Sequence, residues 1–181
     1  MKKAILTILC GILIIGIPAK AVEPEPVLIV EDITPYSEVA QEWLVKHGVN
    51  VPEDIRWECE AAGNCYSVCP ELLMAIGWKE SRYVRDAKAG NCIGIMQINK
   101  KVHADRLSWY GIDSYDIHAQ VWAAASLVRD LGEQYGTDGE SADAATILAA
   151  YRGEDNPGSY MSSYTKEVLK VSEMLERAGG K

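Results

Sequence analysis

Between Ile117 and Tyr135 the chain sets Ile117, Val121, Ala124, Val128, Leu131 and Tyr135 at steps of four, three, four, three and four residues. That period gathers all six on one stripe of an α-helix, and a strand, with its period of two, would scatter them over both faces. So long a stripe must be covered, and the rest of the sequence offers helices to cover it. Thr34 followed by Pro35 reads as a cap and a first-turn proline, with Val39, Trp43 and His47 on a shared face and Gly48 as the stop. Ile55, Cys59 and Ala62 mark a second helix, and Pro70 opens a third that runs through Leu72, Leu73 and Ile76. Ser141 caps another that reaches Leu148 and Tyr151, and Tyr164, Val168, Val171 and Leu175 line a last one. The expected fold class is all-α, or α+β at most through a minor hairpin. With 48% hydrophobic residues in 181, the chain can bury one core without a metal or a cage of disulfides.

The first residues differ in kind. Met1-Lys2-Lys3 is a short basic stretch, Ala4 to Pro18 is apolar and broken by Gly16 and Pro18, and Ala19-Lys20-Ala21 puts small residues where a signal peptidase reads. A signal peptide is expected over 1–21, with an uncleaved N-terminal membrane anchor as the alternative; the run is shorter than the ~20 apolar residues that span a bilayer. Leu9 before Cys10 is not small, which argues against lipidation. Residues 22–35, with Pro24, Pro26, Pro35 and four acids, read as a linker, leaving 36–181 as the folded domain. Removing 1–21 deletes three lysines and no acid, so a net charge of −8 becomes −11, from 15 basic against 26 acidic groups. That is the wrong sign for neutralising phosphates, and no nucleic-acid partner is expected. A monomer working outside the cytoplasm is, secreted or held in the periplasm or cell wall.

Export also bears on the cysteines. Cys59, Cys65, Cys69 and Cys92 are an even number in an oxidising compartment, so two disulfides are expected, in any of three pairings. Their gaps do not form the close pairs of a zinc site, and His47, His103 and His118 fall far apart. Neither a metal nor a cofactor is expected.

The helix from Pro70 carries a chemical signal. Leu72, Ile76 and Glu80 stand at i, i+4 and i+8, which projects the Glu80 carboxylate from an apolar face near the helix C-terminus. Desolvation and the partial negative charge of the helix end both favour the protonated acid, raising its pKa above the ordinary ~4.3. A carboxylic acid held protonated near neutral pH is what protonates a glycosidic oxygen. The plainer alternative is that Glu80 reaches solvent or pairs with Arg82 or Arg85.

Three motifs extend the pattern. Glu80-Ser81, then Gly94-Ile95-Met96-Gln97-Ile98 after a loop with Gly90 and Cys92, then Ala149-Ala150-Tyr151 on a late helix, resemble the catalytic domain of the soluble lytic transglycosylases, in the lysozyme-like, goose-type group. The likeness spans roughly 51–175 and includes Tyr164, where that family has a late tyrosine. It implies a lysozyme-like helical domain with a substrate cleft, Glu80 as general acid and base, and Ser81 beside it. It implies also that Gly94, Met96, Gln97 and Ile98 form a cleft wall, with Gly94 letting backbone approach sugar and Gln97 bonding a substrate amide or hydroxyl. Tyr151 and Tyr164 would orient the Glu80 carboxyl or the sugar. Met96, Ile98 and Tyr164 also fit plain core packing, and Ser81 a helix-end hydrogen bond.

The chain departs from the family where Arg152 stands in the usual Asn position, followed by a turn through Asn156. A guanidinium there suits a carboxylate of a peptide stem or lactyl group. The implied activity is cleavage of the MurNAc-GlcNAc β-1,4 bond of peptidoglycan with 1,6-anhydro-MurNAc ends, using one glutamate. A hydrolytic goose-type muramidase is the alternative; it needs a second acid, for which Asp86, Asp105 and Asp113 are candidates. A secreted wall-binding module without activity is a third reading. The partner implied is the peptidoglycan glycan strand, and by family analogy an envelope-spanning secretion, conjugation or phage apparatus. Trp109-Tyr110 is the expected cleft-edge pair.

Overall fold

A computed structural model describes residues 34–111 and 114–180. The expected leader, nearly all of the linker and Asp113 lie outside the described residues. The order is α1 (Thr34–Lys46), α2 (Glu53–Tyr66), α3 (Pro70–Ser81), three short strands, α4 (Ala104–Tyr110), α5 (Ile117–Tyr135), α6 (Ala144–Tyr151) and α7 (Ser163–Ala178). It is the helical fold of the lysozyme-like class with one small sheet. Among the described residues no helix is long and apolar enough to cross a membrane.

Helix α5 sits at the centre. Val121, Ala124 and Val128 of its stripe are buried, while Ile117 and Leu131 are half-buried and Tyr135 is exposed. Burial is wider than the stripe, because α2, α4 and α6 all pack on this helix and enclose Ala119, Gln120, Ala123 and Ala125 as well. The small alanines let three neighbours approach one axis. Helix α3 is buried along Glu71 to Trp78 between α2 and α7, which in turn covers α1. Ile55, Cys59 and Ala62 of α2, and Val168 and Val171 of α7, meet this core with no exposure.

Two local readings are corrected. In α1 the inward residues are Ala40 and Leu44, whereas Val39 is exposed and Trp43 stacks on His47. The cap of α6 is Asp143, not Ser141: its carboxylate accepts from the Thr146 N–H at 2.8 Å, satisfying a donor the first helical turn leaves open.

The sheet is an antiparallel meander of two-residue strands, β1 (Lys88–Ala89), β2 (Cys92–Ile93) and β3 (Ile98–Asn99). Ala89 pairs with Cys92 and Ile93 with Ile98. Gly90 at φ +61° begins the two-residue turn of β1 and β2, where only the first central residue needs the left-handed region. Ile93, Ile95, Met96 and Ile98 are all buried, so this segment is anchored in the core and its backbone is held beside the end of α3.

The expected disulfides are not formed: all four described thiols are free. Cys59 and Cys65 lie on one helix, about 9 Å apart along its axis, beyond the reach of a disulfide. Cys59 is enclosed in the core, where burial pushes its thiol pKa up. Cys69 heads α3 with its thiol on Glu71 at 3.3 Å and Glu176 at 3.4 Å, and Cys92 opens onto the cavity described next.

Candidate active site

Helix α3 ends at Ser81, because Arg82 and Tyr83 both take left-handed φ, at +54° and +62°. The Arg82 N–H and guanidinium both donate to the Trp78 carbonyl, closing the last turn. Glu80 therefore leaves the apolar face one residue before the helix stops, and its half-buried side chain enters a cavity of about 450 Å³. Lys79, Ala89, Cys92, Gln97, Tyr151, Arg152, Ser163 and Tyr164 complete the lining. Among the described residues Glu80 is its one carboxylate. A second hollow of about 260 Å³ shares Cys92, Gln97, Tyr151 and Arg152 with the first and continues past Asn99, Val102 and His103, so the two make a groove.

The carboxyl is held from one side. Tyr164 at the start of α7 donates its hydroxyl to Glu80 Oε1 at 2.5 Å. Burial raises the Glu80 pKa; the Tyr164 hydrogen bond and then the charges of Arg152 and Lys79 oppose it without reversing it. The plainer sequence alternative, an ion pair with Arg82 or Arg85, is not made: Arg85 pairs with Asp54, and Lys79 and Arg82 pair with Glu167. Tyr164 is buried and Tyr151 largely so, and desolvation together with the nearby Glu80 raises both phenol pKa values, so both remain hydroxyl donors.

Of the residues the motifs singled out, Glu80, Gln97, Tyr151, Arg152 and Tyr164 come together around one space. Ser81, Gly94 and Met96 do not line it and hold its wall from behind, while Ile98 lines only the second hollow of the groove. Ser81 Oγ donates to the Ile95 carbonyl at 2.9 Å, tying the end of α3 to the Gly94–Ile98 segment. Met96 and Ile98 are core, and the Met96 carbonyl accepts from the Tyr151 hydroxyl at 2.8 Å. Gln97, at φ +49°, folds its amide onto the Gly94 carbonyl at 2.8 Å. Gly94, at φ +72°, faces protein rather than sugar: a Cβ there would lie 2.6 Å from Oε1 and 2.7 Å from Nε2 of Gln120.

Gln120 is the residue the sequence reading missed. It has no exposure, accepts from the Met96 N–H at 3.3 Å and donates to the Ser114 carbonyl at 2.6 Å, so one buried amide serves two backbone groups. An amide between Ala119 and Val121, at the head of the long apolar run of α5, is the available signal.

The expected Trp109-Tyr110 pair is elsewhere. It lies on α4, with Trp109 83% exposed and Tyr110 in an aromatic cluster with Tyr66 and Trp122. Asp86 and Asp105 are exposed and line neither part of the groove, and Asn156 lines neither. The three histidines are apart: His47 on Trp43, His103 just before α4, and His118 bonded to Glu58.

Comparison with known proteins gives these positions a context. The family model described as "Transglycosylase SLT domain" matches residues 59–168, a span that holds Glu80, Gln97, Tyr151 and Tyr164. Proteins named "X polypeptide" from Escherichia coli are similar: one is 28% identical over 137 residues, covering 67% of this chain and 79% of its own length. A second, from strain K12, is 26% identical over 130 residues, covering 67% and 75%. No solved structure matches the chain.

Proposed function

The chain belongs to the transglycosylase SLT domain family, and on that premise we propose that it is an exported peptidoglycan lytic transglycosylase that leaves 1,6-anhydro-MurNAc ends by the action of Glu80 alone. One observation carries the single-acid mechanism: no second carboxylate lines the groove among the described residues. Hydrolysis of the usual kind requires one, as nucleophile or as the base that activates water.

In the proposed reaction, protonated Glu80 gives its proton to the glycosidic oxygen as the bond to the muramoyl C1 breaks. The carboxylate so formed takes the proton of the muramoyl 6-hydroxyl, and that oxygen closes on C1. Atoms balance without water, and Glu80 ends protonated, ready for another cycle. The Tyr164 hydroxyl serves both halves: it stabilises the carboxylate between the two proton transfers and, by occupying Oε1, leaves Oε2 toward substrate. Gln97 and Tyr151 shape the wall against which the sugar rests. Export rests on the N-terminal sequence pattern.

The test is incubation of residues 22–181 with purified sacculi and mass spectrometry of what is released. Fragments one water lighter than hydrolysis products are expected. Reducing muramic acid ends would transfer the reading to a muramidase, and sacculus binding without release to the wall-binding module.

Tyr164→Phe separates Tyr164 from general packing. Its hydrogen bond favours the ionised carboxylate, so removing it raises the Glu80 pKa further. Since the first step needs the protonated acid, activity falls as pH rises through that pKa, and in the variant this descending limb is expected at higher pH. The maximal rate falls about tenfold or more, because the second step loses a stabilised carboxylate and the carboxyl its orientation. A pH–rate profile that only scales down, without moving, would assign Tyr164 to packing.

A further inference from the structure

Arg152 is the feature of the groove that the single-acid mechanism does not use. It is the C-cap of α6, exposed, and lies where the two hollows join, lining both. Its guanidinium sits over the ring of Tyr164, 4.8 Å from the centroid, and that ring is the one whose hydroxyl holds Glu80. The fork is thereby fixed relative to the catalytic carboxyl through one rigid side chain. Among the described residues no acid forms an ion pair with Arg152, although Glu154 and Asp155 stand two and three residues after it. Lys79, the other strong base of the lining, is committed to Glu167. His103, at the far end, has its pKa lowered by burial and then by Arg106, which keeps it uncharged near neutral pH. In a chain of net charge −8, the groove thus holds an uncommitted cation beside a glutamate whose pKa burial raises.

Resting on the transglycosylase reading, we propose that Arg152 binds a carboxylate carried on the arm of the N-acetylmuramoyl residue, making this enzyme selective for strands on which that arm is ionised. A planar guanidinium offers two parallel N–H donors matched to a carboxylate, and stacking on Tyr164 pre-orders it, so little further freedom is lost on binding. The carboxylate has two possible sources with the same chemistry. On strands that keep their peptides it is an acid of the stem; on strands stripped of peptide it is the freed lactyl acid.

Three substrates tell them apart: strands with stems, strands stripped by an amidase, and stripped strands whose lactyl acids are coupled to methylamine and so made neutral. Wild type, Arg152→Gln and Arg152→Lys are compared on each by counting anhydro ends. Loss of the Arg152 charge also acts on Glu80, but it does so equally on all three substrates, and the neutral strand measures that common factor. Beyond it, Arg152→Gln is expected to lose about tenfold in kcat/KM, carried by KM, on a carboxylate-bearing strand, with Arg152→Lys in between because it keeps the charge and not the fork. Loss confined to stem-bearing strands assigns the stem acid; loss confined to stripped strands assigns the lactyl acid; loss on both assigns the shared chemistry. Equal loss on charged and neutral strands, or none, overturns the inference while leaving the transglycosylase intact. Wild-type protein that makes no anhydro ends from any of the three sinks the transglycosylase reading and this inference with it.

Discussion

Glu80→Gln is expected to fold normally and to release no anhydro fragments from peptidoglycan, a loss of about 10³-fold or more, at the upper end of what general acid–base groups supply. The amide nearly matches the carboxyl in shape and can still accept from the Tyr164 hydroxyl, so the surrounding geometry is kept. What it lacks is a proton to give and a base to receive one. Stability provides an independent check, with a definite sign. Because burial raises the Glu80 pKa in the folded chain, the unfolded chain releases that proton at lower pH, and folding stability falls as pH rises from the unfolded pKa through the folded one. Gln carries no such penalty, so the variant should be more stable than wild type above that window, and the difference should vanish in acid where both carboxyls are protonated. Denaturant midpoints at pH 4 and pH 8 measure it. A variant that is inactive and less stable at both pH values would mean that Glu80 is structural.

The second large effect is structural. Gly94→Ala must hold a side chain at φ +72°, which costs about 1–2 kcal/mol, and must push a methyl into the Gln120 amide, which costs about 1–3 kcal/mol more. For a domain of this size the sum lowers Tm by about 10 °C, read by calorimetry or circular dichroism. The clash and the φ strain are separable. Gly94→Ala combined with Gln120→Ala removes the first and keeps the second, while leaving the Met96 N–H and the Ser114 carbonyl without their buried partner. The double variant should therefore lose less than the sum of the singles. Strict additivity would mean that Gly94 and Gln120 do not meet.

These two positions also mark where sequence reasoning reached and where it stopped. Helical phase alone placed Val121, Ala124 and Val128 in the core and brought Glu80 out of an apolar face, because both follow from local repeat geometry. The motifs placed Gln97, Tyr151 and Tyr164 around that acid. They could not say that Gly94 turns inward, since that depends on Gln120, which arrives from α5 twenty-six residues later. The same reason explains the misjudged α1: Val39 and Ala40 are both apolar, and only the position of α7 decides which is covered. The place of Trp109-Tyr110 after the Gln97 segment points to the cleft edge, but α4 packs on α5 and carries the pair away from the acid. Cysteine parity counted thiols and could not see that two of them share one helix.

The acid and the hydroxyl that holds it come from opposite halves of the chain, Glu80 from α3 and Tyr164 from α7, eighty-four residues further on. During synthesis, which runs from the N-terminus, α3 can pack with α2 well before α7 exists. A growing or truncated chain that lacks the last helix has its proton donor but neither the partner that orients it nor the wall that α7 supplies. The hydrogen bond that orients the acid is thus among the last contacts the polypeptide can make, and it waits on the final helix.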